Sequence, residues 1–260
     1  MRLRPCNGIA FCGEAAAASP FFVRKSLITT IVFDLDGTLL PMDQDALIRA
    51  YMDTLAGKMA AYGYDPKLLI KSIWTGTGAM VTNDGSRTNE SVFWDVFSQV
   101  YGRDVRADEP LFINYYENEF QQIRHTCAPD GRVPALIRQL QERGLRLILA
   151  TNPLFPAIAT HSRIRWAGLT PEDFVYITSY ENSSHSKPNP DYYREILRKL
   201  GLRAEECLMV GNDVTEDMVA RTLGMQVFLL TDCLINKQGE DIAQFPHGSF
   251  PEFLDYIRSL

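Results

Sequence analysis

Apolar residues fall along the chain in two rhythms. Short continuous runs over 28–33, 145–150, 174–178, 207–210 and 226–230 have the length and the Ile, Val, Leu and Phe content of strands buried on both faces. Amphipathic stretches over 134–143, 190–200 and 216–223 read as helices, and each stops at a glycine: Gly144, Gly201 and Gly224. Strands alternating with helices through short connections predict an α/β core, a Rossmann-like parallel sheet with helices on both sides.

The first strand is followed by a different pattern. From about 42 to 124 no buried strand is predicted, while Leu47, Tyr51, Leu55 and Met59 recur every four residues. Val92, Phe93, Val96, Phe97, Val100 and Tyr101 form a second helical stripe, and Leu111, Phe112, Tyr115, Tyr116 and Phe120 a third. These stripes are the packing core of an inserted α-helical cap domain over 44–125, reached by linkers near 40–44 and 124–133. The α/β core then comprises 27–43 and 126–260, and 1–26 is expected to be a loosely ordered extension. Residues 75–87, rich in glycine and hydroxyls, read as a loop that either faces a substrate or merely joins two helices.

Composition narrows the function. With 46% hydrophobic residues in 260, the chain can bury a sizeable core. A net charge of -6 without a Lys/Arg cluster argues against nucleic acid as a partner. Five widely spaced cysteines (Cys6, Cys12, Cys127, Cys207 and Cys233) without a CxxC signal neither a disulfide framework nor zinc, and fit a reducing cytoplasm. No apolar run approaches the roughly 18 to 20 residues that span a bilayer, so no membrane partner is expected. Arg2 and Arg4 precede an apolar patch, but Asn7, Gly8, Gly13 and Glu14 break the apolar core a signal peptide needs.

The chemistry lies at the strand ends. The first apolar run stops at Asp34 and Asp36, followed by Gly37 and Thr38, and two carboxylates leaving a buried strand are costly unless a cation or a reaction uses them. Thr151 and Asn152 follow the second strand, Ser186, Lys187 and Pro188 follow the third, and Gly211, Asn212, Asp213 and Asp217 follow the fourth. In open α/β sheets these ends line one crevice.

For phosphoryl transfer each residue type has a task. Asp34 attacks phosphorus, and Asp36, two residues on and pointing the same way, moves the proton of the leaving oxygen and of water. Gly37 permits the turn that aims N–H groups at phosphate. Thr151 and the Asn152 N–H bind phosphate oxygens, and Lys187 sets a positive charge between nucleophile and phosphate. Asp34, the Asp36 carbonyl and Asp213 form an oxygen set suited to Mg²⁺.

With these four motifs in order, the chain from 27 onwards resembles the haloacid dehalogenase superfamily, in its phosphatase-like branch with a helical cap inserted after the first strand. The resemblance implies Asp34 as nucleophile, Asp36 as general acid/base, Thr151 and Lys187 as phosphate ligands, and acidic residues of the last motif on magnesium. One position departs: many relatives carry Asp where Asn212 stands, which moves the metal role to Asp213 and leaves Asp217 to orient Lys187 or a metal-bound water. Asp36 disfavours the dehalogenase branch, which lacks that aspartate, and the P-type ATPase branch, which has threonine there.

The expected function is a Mg²⁺-dependent phosphatase acting on a small phosphorylated metabolite through an aspartyl-phosphate. A phosphomutase of the β-phosphoglucomutase type is the alternative, followed by a phosphate-binding scaffold without turnover. Thr75, Thr77, Asn83 and Arg87 are candidate substrate contacts in the cap by composition, and His185 stands near Lys187 as a rim residue or a solvated loop histidine.

Overall fold

The computed structural model describes residues 27–260; the expected extension over 1–26 lies outside them. The order of elements is β1 (Thr30–Phe33), α1 (Gln44–Ala60), α2 (Pro66–Val81), α3 (Asn89–Tyr101), α4 (Glu109–Glu117), α5 (Val133–Glu142) and β2 (Arg146–Leu149). There follow α6 (Ala157–Trp166), β3 (Tyr176–Ile177), α7 (Pro190–Leu200), β4 (Cys207–Gly211), β5 (Gln226–Leu230), β6 (His247–Gly248) and α8 (Phe250–Arg258). Six strands form one sheet in the order β3-β2-β1-β4-β5-β6, every pair parallel.

Alternation along the strands supplies both layers of core. Ile31, Phe33, Leu147, Leu149, Leu208 and Val210 pack on one face with Leu136, Leu140 and Phe253 of α5 and α8. Val32, Ile148, Met209 and Val227 pack on the other with Tyr192, Tyr193 and Ile196 of α7. Two buried faces explain why these strands read as continuous apolar runs. The register matters most: Phe33 pairs with Leu149 on one side and Val210 on the other, so β1, β2 and β4 end level. Asp34 N continues the ladder to Val210 O at 2.9 Å, and Ala150 N to Phe33 O at 2.7 Å.

The helices between β1 and β2 form the cap. Capping side chains start them: Asp43 accepts from Ala46 N, Asp65 from Leu68 N ahead of Pro66, and Thr88 from Ser91 N. The segments joining cap to sheet run side by side, with Met42 bridging Cys127 and Ala128 N donating to Pro41 O at 2.8 Å.

Three expectations change. The predicted loop over 75–87 is helical through Val81, leaving only a short connection to α3. Gly76 is a contact rather than a turn residue: a Cβ there would meet Phe93 Cδ2 at 2.8 Å, so its absence lets α2 and α3 close on one another. The helix predicted over 216–223 is a 3₁₀ segment, Met218–Leu223, because Asp213 and Asp217 hold the preceding residues in turns. The third strand is confined to Tyr176–Ile177, while α6, β6 and α8 are additions. α6 buries Thr160, Ser162 and Arg163 along with its apolar residues, and those polar positions erase the stripe that would have marked it.

Candidate active site

Level strand ends bring the four motifs together. Asp34 leaves β1, and its Oδ1 accepts from Lys187 Nζ at 2.8 Å. The same ammonium donates to Asp217 Oδ1 at 2.6 Å, while Asp217 Oδ2 accepts from Asp213 N at 3.0 Å. Lys187 and Asp217 are each 1% exposed, so an ammonium and two carboxylates share one buried pocket. The approach of Asp217 requires Gly211, where a Cβ would stand 2.0 Å from Asp217 Oδ2.

Thr151 is buried at the end of β2, and its carbonyl accepts from Thr178 Oγ1 at 2.7 Å and Tyr192 OH at 2.9 Å. These bonds occupy the carbonyl and leave the hydroxyl uninvolved. Asn152 Nδ2 donates to Glu216 Oε2 at 3.1 Å, while its Oδ1 is buried without a partner among the described residues. An orphaned acceptor of this kind marks a place where a donor or a cation is accommodated.

Asn212 braces the loops. Its Oδ1 accepts from Thr38 Oγ1 at 3.0 Å and its Nδ2 donates to Cys233 O at 2.7 Å. Gly37, at φ 83°, passes so close that a Cβ would meet Asn212 Nδ2 at 2.3 Å. The amide ties the turn after β1 to the loops after β4 and β5. Asp213 is half-buried, and its Oδ1 accepts from Thr215 N at 2.8 Å and Glu216 N at 2.9 Å, leaving its second oxygen uncommitted.

Anionic charge exceeds cationic charge here. Burial raises Asp34 from 3.8 to about 7 against the pull of Lys187, with Asp217 and Asp36 adding repulsion. Burial likewise raises Glu216 from 4.5 to about 7 and moves Asp213 upward. Burial works against the charge of Lys187, yet Asp217 and Asp34 carry it well above the ordinary lysine value. Crowded carboxylates facing one ammonium fit a hard divalent cation. Among the described residues no three His, Cys, Asp or Glu side chains make a metal cluster unaided. The expected set of Asp34, the Asp36 carbonyl and Asp213 takes one of its oxygens from the backbone.

These shifts carry a pH dependence. A carboxyl that binds its proton more tightly folded than unfolded stabilises the fold below the unfolded value, and that stability is lost as pH rises through the folded value. The metal-free protein is therefore expected to lose melting temperature between about pH 5 and pH 8, the window set by Asp34 and Glu216 at about 7. Lys187 stays charged throughout and does not offset the loss. Differential scanning fluorimetry checks this, and an equally steep profile in Asp34→Asn would count against Asp34 as a source.

The cap meets the core beside Lys187. Asn89 N donates to Ser183 O and Glu90 N to Tyr180 O, both at 2.8 Å, and Asn89 Nδ2 reaches Pro153 O at 3.2 Å and Ser186 Oγ at 3.1 Å. Three of the four candidate cap contacts have local partners. Asn83 Nδ2 donates to Asn89 Oδ1 at 2.9 Å, Thr75 Oγ1 to Lys71 O at 2.9 Å, and Arg87 pairs with Asp95. His185 packs on Gly85 and lies 3.3 Å from Glu195. A cavity of about 280 Å³ between cap and core is lined by Thr77, Phe93, Trp94 and Phe155, with Glu109 and Glu181 its only charged lining residues among the described ones. The motif carboxylates do not line it; Phe155 links the two, because its ring also carries the Arg163 guanidinium at 4.7 Å.

Arg163 is the member of the site that sequence reasoning missed. Buried on α6, it forms an ion pair with Asp36. A lone arginine in a helix with no clear stripe gives no signal in the sequence, since only the fold brings it across to the first motif.

Comparison with known proteins identifies the family. The family model of haloacid dehalogenase-like hydrolases matches residues 28–221. A phosphoglycolate phosphatase of Aliivibrio fischeri is 31% identical over 206 residues, 78% of this chain and 84% of that protein. The pyrophosphatase PpaX of Oceanobacillus iheyensis is 23% identical over 186 residues, 72% of this chain and 75% of its own. In fold, the magnesium-bound HAD-hydrolase YfnB of Bacillus subtilis superposes with a TM-score of 0.52 at 18% identity, covering 90% of this chain and all of that one (100%). The chain belongs to the haloacid dehalogenase-like hydrolase family.

Proposed function

We propose that this chain is a Mg²⁺-dependent phosphatase that hydrolyses a small phosphorylated metabolite through an aspartyl-phosphate on Asp34. The observation that carries the reading is the buried ammonium of Lys187 between Asp34 and Asp217. Its charge offsets the repulsion between an attacking carboxylate and an incoming phosphate. The names of the relatives, phosphoglycolate phosphatase and pyrophosphatase, support phosphoester and phosphoanhydride substrates.

Lys187 holds one Asp34 oxygen, and the other attacks phosphorus as the ester oxygen departs with a proton from Asp36. Thr151 Oγ1 and the Asn152 N–H donate to the equatorial oxygens. Asp36, now ionised, takes a proton from water as that water attacks phosphorus, which releases phosphate and restores Asp34. Asp34, the Asp36 carbonyl and Asp213 would hold the magnesium, which adds positive charge to the phosphoryl oxygens. Residues 44–125 serve as the cap domain over this floor, with 27–43 and 126–260 as the core.

Purified protein is expected to release phosphate from p-nitrophenyl phosphate, phosphoglycolate or pyrophosphate with Mg²⁺. EDTA should lower the rate by about 100-fold or more, with recovery on adding Mg²⁺ back. Turnover that persists unchanged in EDTA, or that requires a sugar bisphosphate, would overturn this reading, the latter in favour of a mutase.

A further inference from the structure

We propose that Arg163 is a positioning residue for Asp36, gripping one carboxylate oxygen and leaving the other to exchange the proton. This rests on Asp36 as the general acid/base of the proposed function.

Arg163 is 1% exposed, and a buried guanidinium demands an acceptor close by. Asp36 supplies it: Arg163 Nη1 donates to Asp36 Oδ2, an oxygen that accepts whether or not Oδ1 carries the proton, and no other carboxylate pairs with Arg163 among the described residues. Two contacts fix the guanidinium. Nη2 donates to Thr160 Oγ1 at 3.3 Å, and the Phe155 ring lies 4.7 Å below Cζ.

α6 does not need the arginine to be anchored. Gln121 Nε2 donates to Ser162 Oγ at 2.9 Å, and Trp166 Nε1 donates to Gln121 Oε1 at 3.0 Å, tying the helix to the cap without it. An apolar side chain would fill the place without the cost of burying a charge. What the arginine adds is a fixed orientation. With Oδ2 held, the Asp36 carboxylate cannot swing freely, and Oδ1, buried and without a partner among the described residues, is the oxygen left for chemistry.

The test compares leaving groups in the full chain with Mg²⁺. p-Nitrophenolate departs without a proton, whereas an alkoxide needs one from Asp36. Arg163→Met is expected to lower kcat for an alkyl phosphate by about 30- to 100-fold with KM little changed, while the p-nitrophenolate burst rate falls by about threefold or less. Arg163→Lys should recover part of the loss. In the Asp36→Asn background, Arg163→Met should cost nothing further in kcat, because both changes act through one carboxylate. That double variant leaves no charge orphaned, so together with Arg163→Lys it keeps the test readable if Arg163→Met alone fails to fold. Equal losses on both substrates, or losses that add across the double variant, would overturn the positioning role and leave the phosphatase reading intact. An Asp36→Asn protein with unimpaired alkyl phosphate turnover would overturn the acid/base assignment, and this inference with it.

Discussion

Asp34→Asn is expected to reduce kcat by about 10⁴-fold or more and, at pH 8, to raise the melting temperature of the protein it inactivates. The first effect follows from losing the nucleophile: an amide cannot carry the phosphoryl group, and removing one member of a concerted catalytic set costs nearly as much as removing the set. The second follows from electrostatics. Burial and the neighbouring Asp217 and Asp36 hold the Asp34 carboxyl near 7, so at pH 8 its ionised form is held against the preference of its surroundings. The amide keeps an oxygen for Lys187 and removes that cost. The gain should shrink towards pH 5, where the wild-type carboxyl is protonated. Steady-state kinetics, acid-stable phosphoprotein labelling and fluorimetry at both pH values check the prediction. Retained turnover in Asp34→Asn would sink the covalent route.

Much of this arrangement is legible in the sequence. The apolar runs placed β1, β2, β4 and β5, and the polar residues after each run, Asp34, Thr151 and Asp213 among them, stand at one sheet edge because parallel strands in register end together. Periodicity was equally informative for α1 and α4, whose predicted apolar positions are buried, Leu111 partly, while on α3 the predicted stripe holds at Val92 and Phe97 and Trp94 is buried outside it.

It failed where a residue type had two physical uses. Gly76 reads as a turn and serves as a helix contact. Asn212 reads as a weakened metal ligand, yet its amide fastens Thr38 and Cys233 O. Arg163 carries no pattern at all, since its reason for being buried lies 127 residues away at Asp36. Local sequence reports periodicity and capping well; it cannot report a partner that only the fold supplies.

Lys187→Met is expected to be the most destabilising single change in the site, and its rescue separates structure from chemistry. Lys187 is buried between two carboxylates, Asp34 at 2.8 Å and Asp217 at 2.6 Å. Removing one partner of a buried ionic cluster leaves uncompensated charge and costs roughly 3–5 kcal/mol. At about 2–4 °C per kcal/mol for a protein of this size, the melting temperature should fall by roughly 10 °C. The rate should fall too, by about 10²- to 10³-fold or more, because the ammonium that screens Asp34 from the phosphate is gone. Adding Asp217→Asn removes one orphaned carboxylate, and most of the stability should return. Turnover should not, since the positive charge between Asp34 and the phosphate is still missing. A double variant that regains activity along with stability would show that Lys187 holds the fold and takes no part in the chemistry. Lys187→Met with a wild-type melting temperature would show that its charge does not compensate Asp34 and Asp217.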